Sequence, residues 1–150
     1  MPSTELTRTY EVPAEPAAVL AHLVEPDNYV GLSPLLVAVR DVRREDEVTH
    51  YVAVERFRFL GLVTHDNHIR VTLRSEPGGL PEEATVHGDV VSPGGVRMSY
   101  SFAIHAHDNG SRVVDTLHLS APFGLLRFAA GKAGEVQAAR GRVLAERLAR

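Results

Sequence analysis

The chain has 150 residues, a hydrophobic content of 44%, a charged content of 23% and a formal net charge of −3, as expected for an ordinary soluble globular protein with one sizeable core. It contains no cysteine, which excludes disulfides, iron–sulfur clusters, thiolate zinc sites and cysteine nucleophiles. No apolar run approaches the roughly 18 residues of a membrane span and the N-terminus lacks a secretory signal pattern, so we expect a cytoplasmic protein.

The N-terminal part of the chain predicts one strand and two short helices. Residues 7–12 alternate polar and β-prone side chains, which predicts a strand that ends at Pro13. Residues 14–24 carry apolar side chains at helical spacing, with Pro16 near the start of the helix. The segment PDNYVGL (26–32) predicts a second short helical turn.

Six further strands and one long helix are predicted for the rest of the chain. The strands are segments 35–42, 48–59, 63–74, 84–91, 96–107 and 111–121, separated by turn markers such as EDE, EPGGLPEE, SPGG and DNGS. Residues 122–150 carry an apolar stripe at helical spacing. Gly131, Gly134 and Gly141 interrupt this helix at roughly 1 kcal/mol each relative to Ala, so close packing or space for a ligand is expected there.

Two hairpins decide which side chains share a face of the sheet. In the first, Asn109-Gly110 is a favoured two-residue turn, because both positions tolerate positive φ. This turn pairs Phe102 with Leu117. The face that contains this pair is apolar except for Asp115 and the Tyr100 hydroxyl, so we expect it to face the interior.

The second hairpin lies between segments 48–59 and 63–74. A three-residue loop, Leu60-Gly61-Leu62, pairs Phe57 with His65 and Glu55 with Asn67, and it turns all four side chains inward. A two-residue Leu60-Gly61 turn would invert every assignment and turn the intervening arginines inward. We expect the three-residue loop, because the alternative asks for unfavourable backbone conformations in the turn.

The order of elements predicts an α+β domain formed by residues 1–150. An antiparallel sheet must bury one face, and the C-terminal helix is the only element large enough to cover it. The stretches YEVPAEPAAVLAHLVEPDNYVGLSP (10–34) and SAPFGLLRFAAGKAGEVQAARGRVLAERLAR (120–150) resemble the opening and closing segments of the START-like superfamily, in particular its polyketide cyclase/dehydrase and lipid-transport branch. This resemblance implies the helix-grip fold, in which a curved sheet of about seven strands wraps around the C-terminal helix, with two short helices after the first strand.

The resemblance also implies a cavity for a hydrophobic or aromatic small molecule between the sheet and the C-terminal helix. By the pairings above, the inward polar residues would orient the ligand and the inward apolar residues would form the walls. The predicted polar residues are Tyr51, Glu55, His65, Asn67, Tyr100 and Asp115. The predicted wall residues are Phe57, Phe59, Ile69, Met98, Phe102, Leu117, Leu125, Phe128 and Val136.

Three functions are compatible with this pattern. The protein would bind or carry its ligand unchanged, or it would be a polyketide cyclase/dehydratase of the aromatase type, or it would be an interaction module whose own side chains fill the cavity. As an enzyme it would use Glu55 or Asp115 as the base and His65 or Tyr51 as the proton donor, since a carboxyl group in an apolar cavity has a raised pKa. The same groups in a carrier would hydrogen-bond one another, water or the ligand.

Other partners are not indicated by the sequence. We do not expect nucleic-acid binding, because the net charge is negative and no aromatic residues lie among the basic clusters. His105 and His107 share only the outer face and His65 and His68 point to opposite faces, so no metal or other cofactor is expected. The cations of the C-terminal helix, among them Arg140 and Arg147, are expected on a solvated face, with docking on an anionic membrane as the alternative. The oligomeric state is left open, with a dimer as one option.

Overall fold

The computed structural model describes residues 2–59 and 63–149, apart from the side chain of Phe59. The chain forms a seven-stranded antiparallel sheet in the order β1-β7-β6-β5-β4-β3-β2. The elements are β1 (Ser3–Val12), α1 (Pro16–Leu23), a 3-10 helix (Pro26–Tyr29), β2 (Leu36–Glu45), β3 (Val48–Phe59), β4 (Val63–Glu76), β5 (Glu83–Val91), a short 3-10 turn (Pro93–Gly95), β6 (Arg97–His107), β7 (Gly110–Ser120) and α2 (Leu126–Leu148).

This architecture confirms the predicted helix-grip arrangement. The helix α1 packs on β5, β6 and β7, while α2 packs on β1 and β7, so both cover the same face of the sheet. The core lies between these layers and contains the apolar side chains of α1, such as Val19 and Leu23, and of the inner sheet face, such as Ile104 and Val113. No helix within the described residues is long and apolar enough to span a membrane.

Several boundaries differ from the predicted ones, and two of the differences depend on features that the local sequence does not show. β1 begins at Ser3 and not at residue 7, since its first residues pair with the end of β7, where Ser3 lies opposite Ser120. α2 begins at Leu126 and not at Pro122, because Gly124 has a φ of 91° and the preceding residues form a turn. The predicted helix end at Arg150 lies outside the described residues.

The predicted turn between β6 and β7 is wrong by one position. The observed turn is Asp108-Asn109, where both residues have positive φ values of 46° and 63°, as a tight hairpin turn requires. Gly110 instead begins β7, where a Cβ atom would lie 2.5 Å from the carbonyl oxygen of Val12. The register therefore shifts by two residues, and Phe102 lies opposite Asp115 and not Leu117. A shift of two keeps every side chain on its predicted face.

The observed pairing of β3 with β4 agrees with the predicted register. Phe57 lies opposite His65 and Glu55 opposite Asn67. On the outer face Arg56 forms a bidentate ion pair with Asp66, with Nε–Oδ1 and Nη2–Oδ2 distances of 2.8 and 3.1 Å. The loop Leu60-Gly61-Leu62 itself lies outside the described residues.

The three glycines of α2 have different surroundings. At Gly141 a Cβ atom would lie 2.7 Å from the ring of Tyr10, so glycine allows the helix to approach β1 closely. At Gly131 and Gly134 no described atom lies within 4 Å of an added Cβ. Close packing on Tyr10 therefore explains why position 141 is a glycine. No such contact explains Gly131 or Gly134.

Candidate ligand-binding site

A cavity of about 370 Å³ lies between the inner face of the sheet and α2. It is formed because β3, β4 and β6 turn alternate side chains toward the helix, and because the N-terminal half of α2 does not close on the sheet. Thirteen of the residues predicted from the sequence lie on its wall. They are Tyr51, Glu55, Phe57, His65, Asn67, Ile69, Met98, Tyr100, Phe102, Leu117, Leu125, Phe128 and Val136.

The cavity has an open end and a deep end. Leu125, just before α2, and Phe128, near its start, line the cavity and are 43% and 53% exposed, whereas Arg140 further along α2 is only 6% exposed. Along β3 the deep end contains Tyr51, and exposure increases toward Phe57. The mouth therefore lies between the start of α2 and the end of the β3–β4 hairpin.

A polar patch lies on the wall near the mouth and consists of Glu55, His65, Asn67 and Ser92. The amide nitrogen of Asn67 donates to Ser92 Oγ at 2.9 Å, while the His65 side chain is exposed. Burial raises the pKa of Glu55, and the side-chain amide of Asn67 offsets part of this rise. A carboxyl group with a raised pKa exchanges its proton closer to neutral pH than an exposed one.

Two tyrosines of the cavity wall use their hydroxyl groups differently. The Tyr100 hydroxyl donates to the carbonyl oxygen of Thr72 at 2.6 Å. This approach is allowed by Gly88, where a Cβ atom would lie 2.7 Å from the same hydroxyl. The Tyr51 hydroxyl makes no hydrogen bond to another described residue, although the residue as a whole is only 6% exposed. Every fully buried side-chain nitrogen or oxygen among the described residues has a partner, so this hydroxyl is accessible from the cavity. Burial raises the pKa of both phenols, so each stays protonated and acts as a donor.

Asp115 is not on the cavity wall, in contrast to the placement assumed for a catalytic base. It faces inward from β7 as predicted, but it is completely buried. Arg140 binds both carboxylate oxygens, with Nε–Oδ2 and Nη2–Oδ1 distances of 3.0 and 3.1 Å, and the Tyr10 hydroxyl donates to Oδ2 at 2.9 Å. Gln137 donates to the Asp115 carbonyl oxygen at 3.0 Å and to Oδ1 at 3.3 Å. The carboxylate is thus fully engaged in the fold.

Arg140 was predicted on the solvated face of the helix, but it is buried on the cavity wall. It lies at the deep end, with its guanidinium carbon 4.9 Å from the centre of the Phe102 ring. Burial lowers its pKa, but the attraction of Asp115 and their hydrogen bonds outweigh this effect, so the net pKa is raised and Arg140 stays charged. Arg140 is four residues from both Val136 and Leu144, which places it on the apolar stripe of the helix. Asp115 is the charged residue in an otherwise apolar row of the sheet. Together these two positions are the sequence signal for a buried ion pair.

Arg147 is exposed, as expected, and it also connects two elements of the fold. It hydrogen-bonds the carbonyl oxygens of Asn28 and Val30 at 2.5 and 2.8 Å. These bonds attach the end of α2 to the 3-10 helix and the residue that follows it.

One group of potential metal ligands lies outside the cavity, at the β6–β7 turn. The described residues bring Glu11, His107 and Asp108 within 4.8 Å of one another. Arg112 Nη2 lies 2.8 Å from His107 Nε2, so a guanidinium cation already occupies the imidazole nitrogen that faces the carboxylates. The cluster is therefore satisfied as a surface ion-pair network, and it is remote from the cavity.

Comparisons with known proteins identify the fold. No family model and no curated protein matches the sequence. Among solved structures, Zhui aromatase/cyclase from Streptomyces sp. R1128 is similar with a TM-score of 0.80 and 12% identity, over 98% of this chain and 94% of that chain. A START superfamily protein from Mycobacterium smegmatis has a TM-score of 0.70 and 10% identity, with 96% of each chain covered.

The human StarD13 lipid transfer and protein localization domain is also similar. Its TM-score is 0.69 at 14% identity, over 93% of this chain and 76% of that chain. Identities this low carry information about the fold and not about the reaction. The chain therefore has the START-like helix-grip fold.

Proposed function

We propose that the protein binds a hydrophobic or aromatic small molecule in the cavity between the sheet and α2. The observation that supports this proposal is the cavity itself, which has a volume of about 370 Å³ and mainly apolar walls with a few polar groups. That combination is typical of small-molecule sites, where apolar walls provide affinity and isolated polar groups provide orientation. The volume falls within the range of about 300–1,000 Å³ found for such sites.

The apolar surface at the mouth supports the same proposal. Leu125 and Phe128 line the cavity and remain largely exposed to water. A bound hydrophobic molecule would cover part of this surface, and each Å² removed from water contributes about 25 cal/mol. A protein that only binds or carries a ligand needs no catalytic group in this cavity.

A polyketide cyclase/dehydratase is the second candidate, and Glu55 is the observation that favours it. Its pKa is raised by burial, and it faces the same cavity as the Tyr51 and Tyr100 hydroxyls. In such a reaction the Glu55 carboxylate would take a proton from a carbon next to a ketone, and a phenol would donate a hydrogen bond to the enolate oxygen. Zhui, which has the same fold, is an aromatase/cyclase by name.

The experiment is native mass spectrometry of the protein purified from an extract of its own host. We expect a retained small molecule, whose structure is then determined after release. A protein that carries no molecule and also fails to bind the neutral dye Nile red would contradict the proposed function and favour an interaction module.

The Glu55→Gln variant separates the two candidates. In a carrier, the variant retains the same unchanged molecule with a modest change in affinity. In a cyclase, the variant still binds the linear precursor and no longer forms the cyclised product. Asp66→Asn on the outer face of the same hairpin is the matched control, because Asp66 pairs with Arg56 away from the cavity.

A further inference from the structure

The deep end of the cavity holds hydrogen-bond donors that the fold uses incompletely. Tyr51 lies on the cavity wall, and its hydroxyl makes no hydrogen bond to another residue that the structure describes. Arg140 Nη1 carries two hydrogens, and it makes one long hydrogen bond of 3.4 Å to Ser33 Oγ. The other two nitrogens of the guanidinium are bound by Asp115.

Tyr51 and Arg140 both belong to the deep end of the cavity. The charge of Arg140 lowers the pKa of Tyr51, against the larger effect of burial that raises it. Both residues and Ser33 lie on the wall of the same cavity, so their donors face one enclosed space. A donor that faces the cavity with hydrogens not used by the fold can bind an acceptor atom on a ligand.

The surrounding charges determine what kind of acceptor fits. The Arg140 charge is balanced by the bidentate Asp115 carboxylate, so the deep end has no net positive charge to balance an anion. Glu55, four residues along β3 from Tyr51 and about 13 Å away at the usual rise of a strand, adds a carboxyl group to the same wall. A neutral oxygen therefore fits the deep end better than a carboxylate.

We propose that the ligand is a neutral hydrophobic carbonyl compound whose carbonyl oxygen accepts hydrogen bonds from the Tyr51 hydroxyl and Arg140 Nη1 at the deep end of the cavity. The apolar part of the molecule then extends past Phe102, Ile69 and Met98 toward the mouth. This inference rests on the proposed function and adds the chemistry of the ligand's buried end.

The test compares three probes of similar size, measured by displacement of Nile red. They are 2-acetylnaphthalene, which carries a neutral carbonyl, 2-ethylnaphthalene, which lacks the oxygen, and 2-naphthoate, which carries a carboxylate. We expect the ketone to bind about tenfold more tightly than the hydrocarbon, as one or two buried hydrogen bonds provide. The carboxylate should bind more weakly than the ketone.

Variants test whether the proposed donors cause the preference for the ketone over the hydrocarbon. They leave the buried pair of Asp115 and Arg140 intact. Tyr51→Phe should reduce the preference for the ketone severalfold and leave the affinity for the hydrocarbon unchanged. Ser33→Ala should preserve the preference, because Arg140 Nη1 keeps its hydrogens. Tyr29→Phe is the matched control, since Tyr29 lines the same cavity and is equally buried as a residue, but its hydroxyl already donates to the Leu23 carbonyl oxygen at 2.7 Å.

Each outcome bears on a different claim. Equal binding of ketone and hydrocarbon would overturn this inference and leave the proposed function intact. Tighter binding of the carboxylate than of the ketone would overturn the choice of a neutral ligand. An unchanged preference in Tyr51→Phe would remove Tyr51 from the site. Failure of Nile red and all three probes to bind would overturn the proposed function, and this inference with it.

Discussion

At the scale of single residues, the inward polar groups divide into those that the fold uses and those that remain available to a ligand. Asp115 belongs to the first kind, because Arg140, Tyr10 and Gln137 all bind its carboxyl or carbonyl oxygens. Tyr51 belongs to the second kind. Sequence patterns identify which face a residue lies on, but they do not show whether a distant partner such as Arg140 already occupies it.

The Asp115→Asn variant tests the structural role of the buried pair. Asparagine keeps the shape of the side chain but leaves the Arg140 charge without a counter-charge, and breaking a buried pair from one side typically costs about 3–5 kcal/mol. We expect a loss of about 3 kcal/mol in the free energy of unfolding, measured by urea denaturation. Asp66→Asn breaks the exposed pair with Arg56 and should cost far less. Equal losses of unfolding free energy in the two variants would contradict the claim that the buried Asp115 pair contributes more to stability than an exposed pair.

The raised pKa of Glu55 predicts a specific dependence of stability on pH. Because burial raises the pKa above its ordinary value of 4.5, the folded state holds the proton more tightly than the unfolded state. Stability from this group is therefore fully present below pH 4.5 and is lost as pH rises through the raised pKa. In Glu55→Gln this loss is absent, so the variant should gain stability relative to the parent as pH rises from 4 to 8. A constant difference across that range would contradict the raised pKa.

At the scale of elements, the sequence predicts the strands well because their pattern is local. Alternation of side chains and turn residues located β3 at Val48–Phe59 without error. The start of β1 and the β6–β7 turn were missed for a different reason. Both depend on distant partners, namely β7 for the first residues of β1 and the Val12 carbonyl oxygen beside Gly110.

The glycines of α2 provide a matched pair of stability tests. Gly131→Ala adds a methyl group in open space, so it should stabilise the protein by about 0.5–1 kcal/mol through helix propensity. Gly141→Ala places the methyl group against the Tyr10 ring and should destabilise the protein, because Tyr10 must move away from Asp115. Thermal unfolding of both variants measures the difference. A gain in stability for Gly141→Ala would contradict the close packing of α2 on β1.

At the scale of the whole molecule, the curved sheet and α2 enclose a cavity that opens at one end. The order of strands and helices predicted that a single long helix covers the inner face of the sheet, and the resemblance to the START-like superfamily implied the curvature and the cavity. Ten of the thirteen predicted residues on the cavity wall lie on strands and reach it because one face of each strand turns inward. The other three are Leu125, which precedes α2, and Phe128 and Val136 on α2. Arg140 and Ser33 were missed, because their positions depend on how α2 and the segment after the 3-10 helix pack.

The central claim is that a small molecule occupies this cavity, and blocking the cavity tests it most directly. Ala129 lines the cavity near its mouth on α2, whereas the neighbouring Ala130 is not among the residues that line it. The measurement is the molar ratio of Nile red bound at saturation by Ala129→Trp and by Ala130→Trp, with folding of both confirmed by circular dichroism. We predict that Ala129→Trp loses dye binding and that Ala130→Trp retains it. Equal binding by the two folded variants would show that the dye does not enter the cavity and would contradict the claim.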